Sequence, residues 1–291
     1  MPRTTLKTTN EGLDHRTVPM RLWRKAKSLG TWDPAAIDIE QDTDDWTTLN
    51  DDEQDLLLRL SAQFQGGEES VTYDLLPFLQ VMADRGRIED EMFLTAYLWE
   101  EAKHVEGFDR FLRTVMGATG SLDHYYTDAY RTLFLEELPA SLNRLRNDPS
   151  PEALADAGVT YQMIVEGVLA ETGYEAYAST LEANDLLPGM QTFVRTVQRD
   201  EARHVAYGVY LLSRLVAEHG APVWTVIEDR MNTLLPLTLD HIQSTLAPYG
   251  AAPPFGVTAD AFLDYAGRQF QKRLARIKHA RTQTLEDVLY A

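Results

Sequence analysis

One short pattern occurs twice, one hundred positions apart. Glu100-Glu101-Ala102-Lys103-His104 returns as Asp200-Glu201-Ala202-Arg203-His204. Each copy has a lone acid upstream in an apolar stripe of helical period: Glu68 stands 33 positions before Glu101, and Glu166 stands 35 before Glu201. Residues at i and i+3 share a helix face, so Glu101 with His104, and Glu201 with His204, can reach one point. The repeat "Glu on one helix, Glu-x-x-His on the next" therefore predicts two antiparallel helix pairs related by a pseudo-two-fold axis, with six side chains converging.

Burial gives this convergence its chemistry. Around Glu68 the stripe reads Leu57, Leu60, Phe64, Val71, Leu75 and Phe78; around Glu101 it reads Leu94, Leu98, Val105 and Phe108. Met163, Ala170 and Gly173 flank Glu166, and Val194, Val197, Val205 and Leu212 flank Glu201. Each acid takes a core position. An uncompensated buried carboxylate is strongly unfavourable or stays protonated, and four converging ones repel unless cations lie among them. Two divalent ions cancel four carboxylates. Four carboxylates and two imidazoles form an oxygen-rich shell that suits iron or manganese rather than a thiolate-seeking metal. The chain has no cysteine, so thiolate sites and disulfides are excluded. Taken alone, a Glu-x-x-His or a lone Glu in a stripe is weak evidence; the doubling at matched gaps carries the reading.

Helical periodicity runs from about residue 50 onward, and no strand-like alternation stands out. Asn50 with Glu53 forms a helix start, and this first helix is expected to reach about Met82. Others are expected at about 89–116, 123–145, 150–183, 190–218, 222–246 and 258–281. Ser150-Pro151 marks a start, and Gly117, Gly189 and Gly220 lie at ends. No linker divides the chain, which reads as one all-α domain over 1–291. Its core spans about 50–220, with C-terminal helices at about 222–281 and an irregular segment at 1–49. His15, His124, His219, His241 and His279 lack comparable context and read as surface or capping residues. Glycines at 66, 67, 107, 167, 173 and 208 fall inside helices, where they mark either close helix contacts or room for a ligand.

The net charge of -18 argues against nucleic acid and against anionic membrane surfaces. No apolar run reaches the length of a membrane span, and no apolar signal core follows Met1 to Lys7. A cytoplasmic setting without stable membrane insertion is expected.

On these residues the chain resembles the ferritin-like superfamily, and within it the small subunit of ribonucleotide reductase. Trp32-Asp33-Pro34 looks like that subunit's N-terminal Trp element, and Asp200 before Glu201 matches its pattern. The resemblance makes Trp32 and Asp200 supporting residues behind the metals or an electron path. Three departures stand out. Phe108 occupies the position of the radical-storing Tyr, Glu68 replaces an Asp common in those subunits, and residues 284–291 lack the long acidic, aromatic tail that docks on a catalytic subunit. These departures resemble the ligand-binding oxidases related to that subunit. The resemblance implies a ferritin-like helical bundle with a four-helix metal-binding core plus additional helices. It implies a manganese–iron pair, or two irons, with dioxygen as oxidant. It implies a homodimer, a bound long-chain fatty acid as the small hydrophobic ligand, and an ether cross-link at positions matching Val71 and Tyr161. Gly67, Phe108, Tyr174 and Tyr177 are the candidate pocket residues; core packing is the alternative for the tyrosines. Glu101 is the expected bridge, with Glu68 and His104 on one ion, Glu166 and His204 on the other, and Glu201 on either. Two other classes stay open: a metal-only reductase small subunit, and an iron storage protein, against which His204 speaks.

Overall fold

The computed structural model of the protein describes residues 5–291, and every regular element among them is helical. Helix α1 (Val18–Leu29) and α2 (Glu40–Trp46) precede α3 (Asp51–Asp74). The Asn50 side chain accepts from the N–H groups of Asp52 and Glu53 while Glu53 accepts from the Asn50 N–H, so the expected capping box forms. Helix α3 stops at Leu75, and α4 (Leu76–Asp84) begins with Pro77 in its first turn. The single helix expected to Met82 is thus two, because Pro77 supplies no N–H to continue the ladder. Helix α5 (Ile88–Arg110) runs into a π-helical turn, Phe111–Val115. Asp128–Arg131, a π-segment Thr132–Glu137 and Leu138–Arg144 make one interrupted rod. Helix α6 (Pro151–Gly158) starts where Ser150 accepts from the Ala153 N–H. A twelve-residue π-helical stretch, Val159–Ala170, follows and leads into α7 (Glu171–Asn184). Helices α8 (Pro188–His219), α9 (Ala221–Leu246) and α10 (Ala259–His279) complete the bundle.

The core is two helix pairs. Helix α3 packs on α5, and the Val159–Asn184 rod packs on α8. Three residues join α7 to α8, so these two must run antiparallel. Helix α9 lies over the π-stretch, and α10 lies over both the π-stretch and α8.

The N-terminal segment departs from the irregular structure expected for 1–49. Helix α1 packs against α5 and α8, burying Met20, Leu22 and Ala26. The sparse apolar face of a sequence rich in Arg and Lys is enough once two core helices offer a groove. Helix α2 has a structural task as well. Asp42, fully buried, accepts from the Gly189 and Met190 N–H groups at 2.8 Å each, and Asp45 accepts from Leu187 N–H at 2.8 Å. These bonds satisfy the open amides at the start of α8. They hold Leu187, a buried residue with φ 51, in the left-handed region.

Candidate metal centre

Helices α3, α5, α8 and the π-stretch bring the six predicted residues together. Ligating atoms of Glu68, Glu101, His104 and Glu201 lie within 4.8 Å of one another, and so do those of Glu101, Glu166, Glu201 and His204. Glu101 and Glu201 are common to both quartets. Glu101, His104 and His204 are fully buried, and Glu68, Glu166 and Glu201 are nearly so. His104 Nδ1 is 3.2 Å from Glu68 and 3.4 Å from Glu201; His204 Nδ1 is 3.0 Å from Glu101.

Both oxygens of Glu101, one each of Glu166 and Glu201, and His204 Nδ1 are buried without a hydrogen-bond partner. Orphaned buried acceptors in this number are rare in folded proteins, and they point inward at one another. This donor set fits a pair of hard divalent cations. The electrostatics of the protein alone agree. Burial, then the neighbouring carboxylates, pushes Glu68 and Glu166 well above the usual carboxylate range. For Glu101, burial is outweighed by the His104 and His204 imidazoles beside it, which hold it below that range. Burial opposes the charge of both imidazoles, but the surrounding carboxylates raise them well above the ordinary histidine value.

Behind each histidine stands an acid. Asp200 Oδ2 lies 3.4 Å from His104 Nε2, and Glu100 Oε2 lies 2.9 Å from His204 Nε2. Arg203 ties the two acids together, bonding Glu100 at 2.5 Å and also Asp200. Lys103 reaches Asp200 at 3.3 Å and the Gly30 carbonyl at 2.5 Å. Trp32 donates from Nε1 to Asp200 at 2.8 Å, which extends the line from His104 through Asp200 to an indole. The chain after α1 passes so close that a Cβ on Gly30 would lie 2.1 Å from Glu100 Oε1. Such partners fix a ligating imidazole's tautomer and orientation.

Sequence reasoning passed over Glu100, Arg203 and Tyr97. The first two were legible as the acid before, and the cation after, the repeated Glu. Tyr97 lies four residues before Glu101 on the same face; its hydroxyl donates to Glu166 and its ring stacks on His204 at 3.6 Å. Tyr174 donates to Glu68. Tyr161 donates to the Val71 carbonyl oxygen at 3.2 Å, with both residues buried. Burial and nearby carboxylates push Tyr97 and Tyr161 well above the usual phenol range, so both keep their protons at neutral pH.

An apolar cavity opens from the carboxylates. Glu68, Glu101, Glu166 and Glu201 all contribute to its wall. Of the candidate pocket residues, Gly67, Tyr174 and Tyr177 line it, and Val71 lines it beside them. Phe108 does not. It is fully buried one layer back, stacked on Phe64 at 5.4 Å, and Phe64 takes the lining position. His241 also departs from expectation: it lines the cavity and is only 8% exposed, whereas His15, His124, His219 and His279 are exposed.

A helical bundle carrying two Glu/His quartets with two shared carboxylates is the architecture of the dinuclear carboxylate proteins. Comparison with known proteins narrows the class. The model of the ribonucleotide reductase small chain family matches residues 19–279. The R2-like ligand-binding oxidase from Sulfolobus acidocaldarius is 36% identical over 98% of both chains, with a TM-score of 0.89. A valine-to-alanine variant of an R2-like ligand-binding oxidase with anaerobically reconstituted Mn/Fe cofactor is 34% identical over 97% of this chain and 100% of its own, TM-score 0.89. A tyrosine-to-phenylalanine variant with aerobically reconstituted Mn/Fe cofactor is 34% identical over 94% and 98%, TM-score 0.88. The chain belongs to the ribonucleotide reductase small chain family, among its R2-like ligand-binding oxidases, and is a dinuclear metal oxidoreductase. Among the described residues no helix is long and apolar enough to cross a membrane.

Proposed function

We propose that the protein holds a manganese–iron or di-iron pair on Glu68, Glu101, His104, Glu166, Glu201 and His204, binds a long-chain fatty acid in the adjoining cavity, and carries out two-electron C–H oxidation. The observation that carries this reading is that the buried carboxylates of both quartets also form part of the wall of an apolar cavity. Glu101, common to both quartets, would bridge the ions, with Glu68 and His104 holding one, Glu166 and His204 the other, and Glu201 able to serve either. When bound, the metal pair supplies the activation of dioxygen.

The chain's own residues do the rest. Asp200 and Glu100 orient the imidazoles, Tyr174 and Tyr97 steady Glu68 and Glu166, and the apolar wall excludes water. The carboxylate of a fatty acid belongs at the metal end and its chain along the apolar wall. The cross-link between Val71 and Tyr161 follows from the same chemistry. It removes one hydrogen from Val71 Cβ and one from the Tyr161 hydroxyl and joins carbon to oxygen, so two electrons and two protons pass to dioxygen. The Tyr161 hydroxyl lies 3.2 Å from the Val71 carbonyl oxygen, so the phenol reaches the residue it would join. Aerobic loading with manganese and iron is expected to give a protein two hydrogens lighter, with one peptide containing both residues. Separate, unmodified Val71 and Tyr161 peptides after such loading rule the cross-link out, and absence of fatty acid after denaturing protein purified from cells counts against the ligand.

A second reading, a reductase small subunit that passes oxidising equivalents to a catalytic partner, is favoured by the line from Trp32 through Asp200 to His104. Phe108 at the radical position opposes it. Trp32→Phe separates the two, since only the partner-dependent reading makes that change abolish turnover while leaving the cross-link intact. We propose a homodimer in the cytoplasm, which sedimentation and fractionation test directly.

A further inference from the structure

The cavity is not apolar throughout. Gln63, His241 and Thr245 line it together. Gln63 precedes Glu68 by five residues on α3, so this polar group lies roughly 7.5 Å along the helix axis from the carboxylate end, at about 1.5 Å per residue. Thr245 Oγ1 lies 2.9 Å from the His241 carbonyl and 3.3 Å from Gln63 Oε1, both acceptors and both closer than His241 Nδ1 at 3.5 Å, so its proton goes to oxygen. Thr127, outside the cavity wall, accepts from the Tyr130 N–H at 3.0 Å. Its own proton has one acceptor within reach among the described residues, His241 Nδ1 at 2.9 Å.

This accounting assigns the tautomer of the imidazole. Nδ1 accepts, so in the neutral ring the proton sits on Nε2. Burial with no compensating charge pushes the ring down to about 4, so it is neutral at physiological pH. Nε2 has no hydrogen-bond partner among the described residues, on a side chain that is 92% buried at the cavity wall. A chain filling the cavity takes water away from this donor, and a donor left unpaired there is unfavourable.

We propose that His241 is a ligand-selecting residue: the bound chain carries, partway along its hydrocarbon, an uncharged oxygen acceptor such as a hydroxyl or keto group, which accepts from His241 Nε2–H. The inference rests on the cavity being the fatty-acid site described above. A second carboxylate does not fit here, because no cationic side chain lines the cavity to compensate it. A site built around one buried donor discriminates against the analogue lacking its acceptor far better than an apolar wall discriminates by size.

The test uses the full-length, metal-loaded protein freed of lipid. Hexadecanoic acid and its hydroxy- and keto-derivatives, substituted at successive mid-chain carbons, compete with a fluorescent fatty acid for wild type, His241→Phe, His241→Gln and Thr127→Val. One mid-chain isomer is expected to bind wild type about tenfold more tightly than the plain acid, as for one hydrogen bond to a buried donor. His241→Phe brings the ratio to about one, His241→Gln keeps part of it through its N–H, and Thr127→Val lowers it by releasing the tautomer while leaving the cavity wall intact. Equal binding of plain and substituted acids to wild type overturns the role of His241 alone. A preference that persists unchanged in His241→Phe also overturns it. Binding of no acid at all overturns this inference together with the fatty-acid reading.

Discussion

The proposed centre makes a firm statement about protons. A cluster of four carboxylates and two imidazoles in a dry interior must stay close to neutral. Glu68 and Glu166 are pushed upward by burial, and His104 and His204 are raised by the carboxylates around them. Each of these four groups is thereby biased toward its protonated form when no cation is present, and four such protons would balance the four carboxylates. Two divalent cations supply the same charge. Loading therefore exchanges two cations for about four protons, since coordinating carboxylates and imidazoles must be deprotonated. The sign follows: affinity rises with pH for as long as the free site is protonated. With about four protons released, the combined association constant for the pair rises roughly 10⁴-fold per pH unit near neutrality, or about 5.4 kcal/mol. Calorimetric titration with manganese in buffers of differing protonation enthalpy counts the protons, and competition against a chelator at several pH values gives the slope. Release of fewer than about two protons per pair, or a slope below about two, refutes the electroneutral exchange.

Four further changes test other parts of the structure. Glu100→Gln weakens the acid behind His204 and is expected to lower metal affinity about 10- to 100-fold, as read by chelator competition. Asp42→Ala leaves the Gly189 and Met190 N–H groups buried and unpaired, and is expected to cost roughly 2–4 kcal/mol in denaturant unfolding. Gly107→Ala would set a Cβ 2.1 Å from the Phe193 ring, which itself packs edge-on against Phe108 at 4.9 Å; overpacking of about 1–3 kcal/mol is expected by the same assay. Arg273→Met removes the bond to the Gly167 carbonyl and the ion pair to Glu171, and is expected to lower the yield of Val71–Tyr161 cross-link several-fold. Peptide mapping reads that yield, while metal content measured alongside is expected to stay within about twofold.

What the sequence disclosed depended on repetition. The six converging residues were legible because a five-residue pattern returned at a fixed offset with an upstream acid each time, and Asn50, Ser150 and Pro151 announced their helix starts through their own side chains. Glu100 and Arg203 were part of that pattern, yet their task follows only from how α5 and α8 face each other across the bundle. Helix α1 was missed because its apolar face is narrow among Arg21, Arg24, Lys25 and Lys27; contacts with α5 and α8 decide its structure, and no local propensity reports them. His241 looked like a surface residue because its neighbours along α9 are mixed. Its burial comes from Tyr130, 5.4 Å away between ring centroids, and from the cavity wall.

The π-helical stretch explains the least legible part of the site. Tyr161 and Glu166 are five residues apart, and in an α-helix five residues turn through roughly 500°, leaving the two side chains about 140° apart around the axis. A π-helix bonds i to i+5 and brings residues at that spacing back above one another. Only the wider winding lets Tyr161 reach Val71 while Glu166 faces the quartet it shares with Glu101, Glu201 and His204. Twelve residues of this geometry are unusual, since π-turns normally occur singly, so something outside must hold it. Arg230 of α9 donates to Thr160 Oγ1 at 2.9 Å near the start of the stretch, and Arg273 of α10 bonds the Gly167 carbonyl and Glu171 at its end. The C-terminal helices therefore do more than cover the bundle. They clamp both ends of the π-helical segment that carries one ligand of the proposed centre and one partner of the proposed cross-link.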